Sequence, residues 1–161
     1  MKILIVSDTH GRDWGLEEAI EKEAPFDMLV HCGDVEGREF YVEAMAGCPC
    51  CIVAGNNDFF SDLPREDEFK VAGKRVFVTH GHYYGIYGGT DGIIQAAKNR
   101  GCEIVLYGHT HLPEIKEENG ILAVNPGSLT LPRQSGGKKS YAVMTTDGRG
   151  GIKVVLKYLK K

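Results

Sequence analysis

What the sequence lacks narrows its possibilities first. No apolar run approaches the ~20 residues of a membrane-spanning helix. There is no internal repeat, low-complexity tract or Pro/Gly/Ser-rich linker, so the 161 residues are expected to form a single domain, 1–161. Neither charge sign dominates: 19 Lys and Arg against 22 Asp and Glu give a formal net charge of -3. That balance argues against general affinity for nucleic acid or anionic lipid. The opening MKILIVSD lacks the longer apolar stretch and small-residue cleavage site of a secretory signal, and a cytoplasmic location is expected. Paired-cysteine chemistry is missing too. Cys48 and Cys51 form a C-x-x-C, but it runs into the β-branched CIVAG instead of opening a helix, and no second pair completes a zinc ribbon. These thiols read as small buried hydrophobes.

What is present is an alternation of short apolar segments and amphipathic ones. Strands are expected at Lys2–Ser7, Met28–Cys32, Cys51–Ala54, Arg75–His80 and Glu103–Tyr107. Helices are expected at Trp14–Glu23, with Asp13 as N-cap, at Gly37–Ala46, and at Asp91–Arg100 after Thr90. This is the βαβ pattern of a parallel sheet. From Pro113 onward, four strand-like segments separated by turn residues read as hairpins and meanders. The mixture predicts an α/β fold of two packed mixed sheets with helices outside.

The chemistry sits where the strands stop. SDTHG places Asp8 and His10 after the first strand, HCGDVEG places Asp34 after the second, and AGNND places Asn56, Asn57 and Asp58 after the third. THGHYY adds His80 and His82, and YGHTH adds His109 and His111. Ligand sites of open α/β sheets gather at the carboxyl ends of strands, so parallel strands bring these clusters to one rim. The remaining histidine, His31, lies inside a strand and reads as a core residue. Carboxylate, amide oxygen and imidazole without thiolate favour a first-row divalent ion: Mn first, with Ni, Fe, Co or Zn as alternatives. Asp8, His10, Asp34, Asn56, His80, His109 and His111 are too many ligands for one ion with an open position. Two ions roughly 3.5–4 Å apart, sharing a carboxylate, use them all, with His109 and His111 serving one ion each.

The ordered motifs D-x-H, GD, GN-x-D, HGH and GHTH resemble those of the calcineurin-like metallophosphoesterases. The length and the NPGS at Asn125–Ser128 resemble the family's small single-domain prokaryotic phosphodiesterase branch. The resemblance implies an αββα sandwich in which Asp8, His10 and His111 hold one metal, Asn56, His80 and His109 hold the other, and Asp34 bridges them. It also implies in-line hydrolysis of a phosphodiester by metal-bound hydroxide. Asp34 and Asn56 enter the candidate catalytic set as ligands, joined by Asp58, read as orienting a metal-bound histidine, and by His82. His82 is either a general acid or a turn cap.

One position departs from the pattern. Larger enzymes of the family have histidine where this chain has Asn57, and an amide cannot supply a proton near neutral pH. Aryl diesters are therefore expected to be hydrolysed far better than alkyl ones. Tyr83 and Tyr84 are expected to wall the pocket. NPGS either presents backbone N–H groups to phosphate or forms an ordinary turn, and Arg12 and Arg133 are either phosphate clamps or solvated. The expected partner is a small phosphodiester, with nucleic acid only as a possible substrate, and the chain is expected to form a homodimer. Two other functions stay open: a non-catalytic scaffold, as in the retromer subunit that shares the fold, and a phosphomonoesterase.

Overall fold

The computed structural model describes residues 1–160. Ten strands form two five-stranded sheets. The first has the order β10-β9-β1-β2-β3 and the second β4-β5-β6-β8-β7. The strands of the first sheet are β1 (Lys2–Val6), β2 (Met28–His31), β3 (Cys50–Ile52), β9 (Ser140–Thr146) and β10 (Ile152–Tyr158). Those of the second are β4 (Glu66–Val71), β5 (Lys74–Thr79), β6 (Ile104–Leu106), β7 (Glu114–Glu118) and β8 (Ile121–Asn125). Helices α1 (Trp14–Glu23), α2 (Glu39–Ala46) and α3 (Asp91–Asn99) lie outside.

Strand alternation assigns each side chain to a layer. Ile3 and Ile5 of β1 meet Val76 and Val78 of β5 between the sheets. Leu4 and Val6 face the other way, onto Leu16 and Ala19 of α1 and Val42 of α2. Phe77 and Val105 face Ile93, Ile94 and Ala97 of α3. The layers are therefore helix, sheet, sheet, helix. Strands covered on both faces read as continuous apolar runs, which is why KILIV and RVFV are so legible.

β1, β2 and β3 are mutually parallel, as are β5, β6 and β8. The first sheet adds antiparallel β9 and β10 on one side only, with parallel β3 at its other edge, whereas the second has antiparallel strands, β4 and β7, at both edges. The structure differs from the sequence pattern in three places. β4 has the sequence EDEFKV, whose charged residues conceal a strand that pairs antiparallel with β5 at the sheet edge. β8 pairs parallel with β6 as well as antiparallel with β7, so this segment is not a simple meander. Asp13 makes no side-chain cap to α1; its carboxylate accepts from Arg38 instead.

Candidate metal centre

The loops leaving β1, β2, β3, β5 and β6 meet at one rim and are locked there by backbone contacts. Asp8 N–H donates to Gly33 O, His10 N–H to Asp34 O, and Gly108 N–H to His80 O. Two glycines are required for the approach. A Cβ on Gly55 would lie 2.2 Å from Asp34 Oδ1, and one on Gly108 would lie 2.0 Å from Ser7 Oγ and 2.6 Å from Asp8 Oδ2. The glycines of GN and GH therefore leave room for the aspartates beside them.

Backbone strain concentrates here. Asp8, His10, Asp34, His109 and His111 all have left-handed φ, between 51° and 72°. Such conformations cost of order 1–3 kcal/mol each and persist where the surroundings over-determine them, a pattern that clusters at functional sites.

Hydrogen bonds aim the ligating atoms inward. His80 Nδ1 is 2.7 Å from Cys32 O, His111 Nδ1 is 2.7 Å from Leu131 O, and His10 Nδ1 is 3.2 Å from Glu36 Oε2. Each partner can only accept, so each Nδ1 carries the proton and each Nε2 presents its lone pair to the centre. The result is a set of acceptors without donors. His10 Nε2 and His111 Nε2 face one another at 3.1 Å, and Asp8 Oδ1 lies 3.2 Å from His111 Nε2 without hydrogen-bond geometry. Asp8 Oδ2 is satisfied by Ser7 Oγ–H and His109 N–H, whereas the buried Oδ1 has no hydrogen-bond partner among the described residues. On the other side, His80 Nε2 lies 3.1 Å from Asn56 Oδ1, 3.2 Å from His109 Nδ1 and 3.4 Å from Asp34 Oδ2.

Two groups of ligand atoms fall within 4.8 Å of one another: Asp8, His10 and His111, and Asp8, Asp34 and His80. Asn56 and His109 flank the second group through His80. The seven side chains singled out from sequence are thus brought together. The donor set fits divalent cations: lone pairs converge, one buried carboxylate oxygen is unpartnered, and no thiolate is present.

Both central carboxylates are held in their charged form. Burial opposes ionisation of Asp8, yet His111 and His80 hold its carboxyl below the usual range. Asp34 is likewise buried, but His80 and the N–H groups of Asn57 hold its carboxyl well below that range. His109 is pushed down to about 4 by burial and then by His80. Burial and His80 also depress His82.

Other candidates are placed differently from the sequence reading. Asp58 orients no histidine among the described residues. Its carboxylate accepts from the N–H groups of Asp34, Val35, Glu36 and Gly55, and so shapes the loop that carries Asp34. Asn57 donates to Asp34 twice, from its backbone N–H to Oδ1 at 2.9 Å and from Nδ2 to Oδ2 at 3.0 Å. Nothing in the sequence signals that second contact. In NPGS, Ser128 Oγ accepts the N–H groups of Thr130 and Leu131 and donates to Asp8 O, while Asn125 Nδ2 donates to Gly108 O. The run ties the Asp8 and His109 loops together, with those N–H groups consumed internally.

His82 lies beside the cluster, with its ring 5.3 Å from that of His80 and its Nδ1 unpartnered. Tyr83 packs on His82, whereas Tyr84 turns away to donate to Glu66. Arg133 donates to Tyr87, whose ring lies 5.0 Å from that of His109. Arg12 is exposed. His31 is a core residue: it is buried, accepts Gly33 N–H at Nδ1 and contacts Thr9 Oγ1, with burial lowering its pKa to about 4.

The calcineurin-like phosphoesterase superfamily domain matches residues 1–149. This chain belongs to that superfamily. It is 34% identical over 150 residues to "Probable metallophosphoesterase YsnB" of Bacillus subtilis, covering 91% of this chain and 85% of that protein. It is also 34% identical over 171 residues to "Phosphodiesterase YfcE" of Escherichia coli, covering 91% and 89%. A solved structure from Streptococcus pneumoniae, described as a predicted phosphoesterase, superposes with a TM-score of 0.83 at 29% identity, covering 98% of this chain and 88% of that one. The two-sheet sandwich is the superfamily fold.

Proposed function

We propose that this chain is a dinuclear-metal phosphodiesterase. The observation that carries the reading is the pair of imidazole lone pairs facing each other beside the unpartnered, buried Asp8 Oδ1. Groups so arranged repel unless a cation lies among them. Asp8, His10 and His111 would hold one divalent ion, and Asn56, His80 and His109 the other, with Asp34 shared; manganese is the first choice. Bound there, two such ions acidify water and neutralise charge on phosphoryl oxygens.

The chain's own contribution is positional. The Nδ1 contacts fix three rings with Nε2 inward, so the ligands need no reorganisation on loading. Asn57 holds both oxygens of Asp34. Two carboxylates and neutral imidazoles leave a loaded site net positive, which suits a diester monoanion. No side chain at position 57 can protonate a leaving alkoxide, so substrates whose leaving group departs unprotonated are favoured.

The test is manganese-dependent hydrolysis of diesters across a leaving-group series. The expected result is turnover of bis(4-nitrophenyl) phosphate that disappears with chelator, and a steep fall in rate as leaving-group pKa rises. Absence of turnover with Mn, Ni, Co and Zn favours the scaffold reading, and a preference for 4-nitrophenyl phosphate favours a monoesterase.

A further inference from the structure

The loop after β3 carries two uncovered phenylalanines next to the metal motif. Phe59 is 71% and Phe60 96% exposed. Phe59 forms one wall of a cavity of about 280 Å³ whose lining also includes Asn56, Arg65, His82 and Tyr83. The cavity therefore begins at the centre itself, since Asn56 Oδ1 touches His80 and the His82 ring lies 6.0 Å from that of His109. Tyr83 is 61% exposed and packs against His82 with ring centroids 4.1 Å apart. The Arg65 guanidinium lies over Tyr83, 5.2 Å from the ring centroid.

Two carboxylates beside this cavity, Glu66 and Asp58, are already engaged. Glu66, next to Arg65, accepts from Arg100 and Tyr84, and Asp58 accepts from four backbone N–H groups. The lining thus combines two aromatic surfaces, Phe59 and Tyr83, with one cation, Arg65. Exposed aromatic rings beside a guanidinium make a platform for a planar ring, which stacks on the aromatics while the guanidinium N–H groups meet acceptors on its edge. A lipid chain offers no such acceptors.

We propose that this cavity binds the ester arm retained on phosphorus, and that this arm ends in a planar heteroaromatic ring of the nucleobase type. The proposal rests on the phosphodiesterase reading and names its substrate class. The ring belongs to the retained arm because Asn57 cannot protonate a departing sugar alkoxide, so the sugar oxygen stays on phosphorus.

Thymidine 5′-(4-nitrophenyl) phosphate and methyl 4-nitrophenyl phosphate share a leaving group and a single negative charge, and differ only in the retained arm. The expected kcat/KM of the wild-type protein is about tenfold or more higher for the nucleoside ester. Phe59→Ala and Tyr83→Ala are each expected to cut that ratio about fivefold or more, mainly through KM. A second measurement needs no turnover: thymidine 5′-monophosphate added to the metal-free protein is expected to shift the Phe59 and Tyr83 ring signals in NMR spectra, and deoxyribose 5-phosphate is not. A ratio untouched by both substitutions, or equal shifts from both ligands, overturns the proposal. Should the wild-type protein hydrolyse neither ester, the phosphodiesterase reading falls, and the NMR comparison still decides what the cavity binds.

Discussion

The two ends of β1 each bury a carboxylate, and they treat it in opposite ways. At the amino end, Glu23 reaches back from α1 and is only 4% exposed. Its oxygens accept from Lys157 at 2.9 and 3.1 Å, from Tyr141 at 2.7 Å, and lie 3.1 Å from Lys2 Nζ. At the carboxyl end, Asp8 is fully buried, keeps one oxygen unpartnered, and is surrounded by imidazoles whose protons point away. A buried charge is tolerable when the chain supplies its counter-charge. Glu23 has its cations built in; on the proposed reading, Asp8 has a socket for cations from solution.

That contrast can be broken by substitution. The largest effect belongs to Asp34, proposed as the shared carboxylate: Asp34→Ala is expected to lower kcat on bis(4-nitrophenyl) phosphate by about 10³-fold or more, at least the loss from removing one transition-state donor, measured at saturating manganese. Next in size is Glu23→Ala, expected to destabilise the fold by about 2 kcal/mol in urea unfolding. This lies between exposed and buried ion pairs, because both lysines are partly exposed. Asp8→Asn is expected to cost the metal-free protein much less, under about 1 kcal/mol, because the unpartnered oxygen has no hydrogen bond to lose. If Asp8→Asn destabilises the metal-free protein as Glu23→Ala does, the two ends are alike and the contrast fails.

Smaller effects sharpen the comparison. Asn57→Ala is expected to cost about tenfold in rate by loosening Asp34, with weaker manganese binding in equilibrium dialysis. Glu23 also predicts a pH dependence. Burial raises its pKa, but Lys157, Tyr141 and Lys2 together bring it below the ordinary value of 4.5. A lowered folded-state pKa contributes stability above that ordinary value and loses it as pH falls through the folded value. Unfolding midpoints measured downward from pH 5 should therefore decline less steeply in Glu23→Gln than in wild type.

The legibility of these regions differed for physical reasons. The seven convergent side chains are legible because carboxylates, amides and imidazoles are chemically distinctive and here cluster where strands end. The sandwich was legible from doubly buried strands, whose apolar runs need no context. β4 was not, because an edge strand pays little for charge on its open face, and EDEFKV reads as a loop. The left-handed φ values at the ligands, the amide of Asn57 on Asp34 and the Asp58 cradle are tertiary facts without a local signature. Phe59 carries no sequence signal either, because an exposed aromatic and a buried one look alike in sequence.

Manganese loading of the metal-free chain, read by equilibrium dialysis, bears most directly on the socket at Asp8. The account predicts saturation at about two ions per chain for the wild-type protein and a loss of binding in Asp8→Asn, with Glu23→Gln loading as wild type. Saturation below one ion per chain, or an Asp8→Asn protein that loads as fully as the wild type, would contradict it.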